Sequence, residues 1–210
     1  MIYNLADFIV SLSINGKEFE TKLYEYIISN KCADYHIKIY KNDIVNESKN
    51  QIFLKLNDVE SICIHRKLAE WLPLHNAFVL HSAVFDVDGT GIALAAHSGT
   101  GKTTHMLLWQ KLIGDRLKIV NGDKPIVRFF DDEPETPYAY GTPWNGKEHL
   151  GCNMRTPLKN ICFIERAEKN SCEEISKTEA ADLLFNQVYM PKDPQAAINT
   201  LQLINRLISC

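Results

Sequence analysis

The sequence predicts a mixed α/β fold, and three stretches carry that expectation. Ile92, Ala93, Leu94 and Ala95 run as a short apolar strand into a glycine-rich turn, and Met106, Leu107, Leu108, Trp109 and Leu112 leave it as a helix. A strand over Phe78 to Phe85 comes before, returned through the Asp-Gly-rich turn Asp86-Val87-Asp88-Gly89-Thr90-Gly91. Helical spacing resumes at Leu183, Leu184 and Val188, and again at Ile198, Leu201, Ile204 and Ile208. With 210 residues, 45% of them apolar, the chain has enough material for one domain plus a small lobe. A net charge of −3 argues against a nucleic-acid surface. No apolar run is long enough for a membrane span, and no basic segment precedes the first apolar residues as in a signal peptide.

Residues 1–58 read as a β-rich N-terminal lobe and 59–210 as the domain that carries the chemistry. In the lobe, Phe8, Val10, Leu12 and Ile14 alternate, as do Tyr35, Ile37 and Ile39, while the polar run Lys41 to Gln51 reads as a loop or hairpin turn. Ile62, Leu68, Trp71 and Leu72 recur near helical spacing until Pro73 stops them. Beyond the loop helix, strands are expected at Leu117 to Val120, Ile126 to Phe130 and Asn160 to Ile164, with a solvated acidic turn over Asp131 to Glu135. Ser176-Lys177-Thr178-Glu179 is a capping box, Pro191 ends its helix, and Asp193-Pro194 caps the last one. The six cysteines form no C-x-x-C pair, and the ten-residue spacing of Cys152, Cys162 and Cys172 is not a metal-ligand spacing. Reduced core thiols in a cytoplasmic protein fit them best.

The turn itself, Ala96-His97-Ser98-Gly99-Thr100-Gly101-Lys102-Thr103-Thr104, reads as a phosphate-binding loop. A glycine-rich turn that opens a helix lines up backbone N–H groups toward an anion, and the helix dipole favours negative charge there. Lys102 would reach the β/γ-phosphates and the Thr103 hydroxyl would sit on Mg²⁺. Ala96 stands where the Walker pattern has its first glycine, a mismatch that is tolerable if the position is not at positive φ. These features make a nucleoside triphosphate the expected ligand, with His97, Ser98, Gly99, Thr100, Gly101, Lys102, Thr103 and Thr104 as its binding residues. The loop follows a β-hairpin here, whereas in the common mononucleotide-binding fold it follows the first strand of a βαβ unit.

Other residues gather around the loop by their chemistry. Asp123 ends an apolar strand and can hold Mg²⁺ opposite Thr103, or it simply closes a turn with Gly122. His81 reads either as a half-buried strand histidine or as a group that polarises a hydroxyl. Gly141-Thr142-Pro143-Trp144-Asn145-Gly146-Lys147 reads either as a loop that closes over a ligand, with Lys147 set to neutralise phosphoryl charge, or as an ordinary turn with Trp144 in the core. Arg155 and Arg166 are weaker candidates for that role, and His105 reads as structural.

Residues from about 76 to 208 resemble the HPr kinase/phosphorylase-related group, whose nucleotide site is shared with phosphoenolpyruvate carboxykinases. Four stretches carry the resemblance in order: His81-Ser82-Ala83, Ser98 to Thr104, Asn121-Gly122-Asp123-Lys124-Pro125, and Gly141-Thr142-Pro143-Trp144 with Gly146-Lys147. The resemblance implies a mixed sheet, ATP and Mg²⁺ as cofactors, and γ-phosphoryl transfer to a hydroxyl of a peptide or protein serine or of a small molecule. It implies catalytic roles for His81, Asp123 and Lys147, with Thr103 and Asp123 at the metal. Some relatives accompany peptide-modification systems, and members of the group assemble into rings, so a homo-oligomer is among the implied partners. Members also continue with a strand beyond their last helix, where this sequence reaches Cys210, which implies a short or truncated variant. Gly122 departs from the pattern, because the group carries an acid there that acts as base toward the serine hydroxyl. That departure keeps a second reading open, a nucleotide-binding partner or sensor without turnover. A carboxykinase-like decarboxylase is disfavoured, since the chain is far shorter than such enzymes and shows no second metal cluster.

Overall fold

The computed structural model describes residues 1–50 and 55–210. It divides into two compact units, Met1–Trp71 and Leu72–Cys210. Among the described residues it is mixed α/β, with two mixed sheets and six α-helices. None of these helices is long and apolar enough to cross a membrane.

The first unit contains β1 (Ile2–Leu5), β2 (Phe8–Ser13), α1 (Lys17–Lys22), β3 (Ile27–Ile28), β4 (Tyr35–Lys38), α2 (Lys41–Asn50) and α3 (Leu56–Trp71). Its sheet has the order β3-β1-β2-β4, with β4 parallel to β2 and the other pairs antiparallel. Phe8, Val10 and Leu12 all point into the core, as their alternation predicts. The polar run after Tyr40 is α2, not a loop; Gln51, the end of that expectation, lies outside the described residues. The helix lacks a strong apolar stripe, so periodicity misses it, and tertiary ion pairs hold it instead. The buried carboxylate of Glu47 meets Arg66 at 3.0 Å, and Asp43 meets Lys67 at 2.7 Å, both partners on α3. The boundary expected at residue 58 falls inside α3, all of whose residues belong to this unit. Glu60 on α3 reinforces that placement, because its buried carboxylate accepts the backbone N–H groups of Asn15 and Gly16.

The second unit begins with a 3₁₀ turn, Leu72–His75, that contains Pro73. It continues with β5 (Ala77–Val79), β6 (Ser82–Val87), β7 (Thr90–Ala95), α4 (Lys102–Ile113), β8 (Leu117–Asn121), β9 (Ile126–Arg128), β10 (Tyr138–Tyr140), β11 (Arg155–Phe163), α5 (Lys177–Phe185) and α6 (Pro194–Ser209). The sheet order is β5-β9-β10-β11-β7-β6-β8, and only β11 and β7 pair in parallel. Alternate residues of the central strands feed two cores. Val84 and Ala93 join Leu184, Leu203, Ile204 and Leu207 of α5 and α6, while Ala83, Phe85 and Leu94 join Met106 of α4.

The single strand expected over Phe78 to Phe85 is two strands, broken at Leu80-His81. These two residues connect strands that lie five steps apart in the sheet order. A flat sheet would separate those strands by roughly 24 Å. The three peptide units from Val79 to Ser82 span at most about 11 Å. The sheet must therefore curl until its antiparallel half (β5, β9, β10) meets its hairpin half (β7, β6, β8). At the junction Leu80 N–H donates to Pro125 O, and Ser82 N–H to Asp123 O, each at 3.1 Å.

Two helix-level expectations shift in detail: α5 ends at Phe185, before Val188 and Pro191, and α6 turns a different face inward. The capping box holds, with Ser176 Oγ accepting the Glu179 N–H at 3.2 Å, and Asp193 caps α6 by accepting from Ala196. The buried face of α6, however, is Ala196, Thr200, Leu203, Ile204 and Leu207, whereas Ile198 and Leu201 are about half exposed. Thr200 can sit on the inner face because its hydroxyl bonds back to Ala196 O at 2.8 Å. A partly open cavity of about 230 Å³, lined by polar as well as apolar residues, lies between β11, α5 and α6, and no residue of the glycine-rich loop lines it.

Candidate functional site

Residues 96–101 connect the end of β7 to the start of α4, directly after the β6–β7 hairpin. Gly99 and Gly101 have φ of 79° and 124°, a region that disfavours side chains, so the glycines are required by conformation. Ala96 is not among the positive-φ residues, so its Cβ carries no conformational penalty where the Walker pattern has glycine. The first turn of α4 holds no acidic residue. Arg166, beyond β11, caps the loop from outside by donating to Gly99 O at 2.7 Å and Thr100 O at 3.4 Å. His97, Ser98 and Thr104 are exposed at the loop's mouth, and Thr103 is half-buried.

Lys102 does not project into solvent. It is 8% exposed, and its Nζ donates to Ala96 O at 2.7 Å. Nζ also lies 3.3 Å from His81 Nε2, which in turn lies 3.3 Å from Asp123 Oδ1. Asp123 Oδ1 then lies 4.0 Å from Lys124 Nζ. Three residues singled out from the sequence, His81, Lys102 and Asp123, thus meet in one row, extended by a fourth, Lys124. The electrostatics follow from burial and from this order. Desolvation pushes the Lys102 ammonium below the ordinary lysine range; Asp123 opposes that and Lys124 adds to it. Desolvation likewise depresses Lys124 against the pull of Asp123. For Asp123, burial works against the carboxylate, but the His81 hydrogen bond and the charges of Lys124, His81 and Lys102 outweigh it and hold the carboxyl below its ordinary value.

The curled sheet makes this row possible. His81 sits in the two-residue break, with its N–H donating to Gln187 O at 2.7 Å. With its amide nitrogen turned inward, Gln187 donates to Ala96 O at 3.1 Å and to both His81 O and Nδ1 at 3.3 Å; the opposite orientation would set oxygen against acceptors alone. Asn121, fully buried, shapes the turn that carries Asp123. Its Oδ1 accepts from the N–H groups of Asp123 and Lys124, each at 2.8 Å, while its Nδ2 donates to Thr142 O and Oγ1 at 3.1 and 3.0 Å.

The segment after β10 is fastened to this floor. Gly122 N–H donates to Leu150 O, Lys124 N–H to Trp144 O, and Cys152 N–H to Val120 O. Gly122 leaves no room for any side chain, because a Cβ there would stand 2.7 Å from Asn145 O and 3.1 Å from Leu150 O. The acid expected at that position is excluded by backbone packing as well as absent. Lys147 lies exposed at the tip of the segment, and no hydrogen bond or ion pair joins it to His81, Lys102 or Asp123 among the described residues. Arg155 lies elsewhere, over the rings of Tyr138 and Phe130. Among the described residues no three His, Cys, Asp or Glu side chains cluster as a metal site. Asn121 and Lys124 were visible as part of a motif without a role. Gln187 gave no sequence signal, since only the fold brings it to the loop. No protein-family model matches the chain, and no curated protein matches it.

Proposed function

We propose that the second unit binds a nucleoside triphosphate with Mg²⁺ and transfers its γ-phosphoryl group to a hydroxyl, as an HPr kinase-like enzyme would. The observation that carries this reading is the row from Lys102 through His81 to Asp123, set at the glycine-rich entrance to α4. Phosphoryl transfer asks little covalent chemistry of a protein; it needs positioning and charge stabilisation. The loop N–H groups and Lys102 would hold the phosphates, with His97, Ser98 and Thr104 at the rim. A hard cation would be held by the Asp123 carboxylate, kept ionised, and by the Thr103 hydroxyl, with phosphates and waters supplying the remaining oxygens. Held there, Mg²⁺ would supply positive charge to offset what develops on the transferred group. His81, bonded to Asp123, is placed to orient the acceptor hydroxyl. The acceptor would be a serine of a peptide or protein, or a small molecule, and ATP is the favoured donor.

The packing at Gly122 favours a second reading, a nucleotide-binding partner or sensor without turnover. Loss of a general base costs about 10²–10⁴-fold in rate, which slows a kinase without abolishing binding. Two measurements separate the readings. Calorimetry with ATP and Mg²⁺ should show binding to the wild type that Lys102→Ala removes. Incubation with γ-labelled ATP and hydroxyl acceptors should show transfer. Binding without transfer or hydrolysis selects the sensor; no binding at millimolar nucleotide ends both.

A further inference from the structure

Lys124 has no part in the nucleotide reading so far, yet its backbone is among the most firmly held in the site. Its N–H is accepted by Asn121 Oδ1 at 2.8 Å and Trp144 O at 3.1 Å, and its carbonyl accepts the Thr142 hydroxyl at 2.7 Å. Pro125 follows and restricts the conformation of Lys124 further. The side chain thus starts from a fixed point, as a group aimed at a ligand needs.

Its charge is not consumed locally. At 4.0 Å from Asp123 Oδ1 the pair is too far apart for a hydrogen bond, and the same oxygen already faces His81. One carboxylate therefore stands between two ammonium groups, and the two lysines are close enough to repel one another. The missing complement is an anion. Lys102 is tied to the loop through Ala96 O, so it meets phosphates nearest the loop, and Lys124 lies beyond Asp123 from it.

Building on the nucleotide reading, we propose that Lys124 contacts the terminal phosphate of a bound triphosphate and lets the site distinguish a triphosphate from a diphosphate. The test is calorimetry of ATP and ADP, each with Mg²⁺, on the wild type, Lys102→Ala, Lys124→Met and Lys124→Arg. Thermal melts would check folding, and Lys124→Gln serves if the methionine variant does not fold. Lys124→Met should weaken ATP at least tenfold and ADP less than twofold, whereas Lys124→Arg should keep most of the preference and Lys102→Ala should weaken both nucleotides. Equal losses for ATP and ADP in Lys124→Met, or no loss for either, would overturn the role of Lys124 while Lys102→Ala still supports nucleotide binding. A wild type that binds neither nucleotide would instead overturn the nucleotide reading, and this role with it.

Discussion

The floor and the rim of the glycine-rich loop are built on opposite terms. On the floor, Asn121, Gly122 and Lys124 are bound by hydrogen bonds to Thr142, Leu150 and Trp144, Asp123 N–H is held by Asn121, and Asn121 is fully buried. On the rim, His97, Ser98, Thr104 and Lys147 are exposed. A side chain held by several buried hydrogen bonds has one position, and losing it strands its partners. An exposed side chain costs little to change and must find its geometry when a ligand arrives. The contrast places pre-organisation on the carboxylate side of the site and adaptability on the loop side. The segment around Trp144 is fastened to that floor at its base and exposed at its tip.

Four changes would break or sharpen that contrast. The largest effect is expected for Asn121→Ala, which takes the buried Asn121 amide away from the Asp123 N–H and the Thr142 carbonyl and leaves the Lys124 N–H with Trp144 O alone. Chemical denaturation should show a loss of about 3 kcal/mol, and a loss below about 1 kcal/mol would mean the floor is not pre-organised. Next comes Gly122→Asp, which restores the acid at the expense of a clash with Asn145 O and Leu150 O. It should destabilise by about 2 kcal/mol; a stable variant with faster phosphoryl transfer would show that the segment yields more readily than its packing suggests.

The third prediction concerns pH. The Asp123 carboxyl is held below its ordinary value in the folded state, so its stabilising contribution is complete above the unfolded carboxylate range and disappears as pH falls through the folded pKa, in a window below about pH 4. Carbon NMR of the side-chain carboxyl should give a midpoint below that of an unfolded aspartate, and Lys124→Met should raise it. An unchanged midpoint in the variant would remove Lys124 from the row. The smallest effect is expected for Lys147→Ala, within about 0.5 kcal/mol of the wild type by denaturation; a large loss would move Lys147 from the rim to the floor.

How much of this was legible beforehand depended on the range of the forces involved. The strand from Ile92 to Ala95, the helix that starts at Lys102 and the caps at Ser176 and Asp193 are local matters of spacing and chain direction, and the structure has all of them. The helix Lys41–Asn50 was hidden because distant arginine and lysine side chains hold it. The inner face of α6 was misread because Thr200 satisfies its own hydroxyl and so behaves as an inward residue. Asp123 and Lys102 announced their chemistry by type and position, but that His81 stands between them depends on the sheet's curl.

The chain's own order of residues decided the glycine-rich entrance to α4, the alternation that feeds two cores and the identity of the charged groups available to a ligand. Conformational preference and side-chain period act over a few residues, so a linear reading captures them. Only the tertiary structure decided that Leu80-His81 breaks a strand, that Gln187 bonds to the loop, that Gly122 must lack a side chain and that two lysines face a single carboxylate. Those outcomes arise from contacts between distant segments, where steric exclusion and Coulomb interactions depend on separation in space.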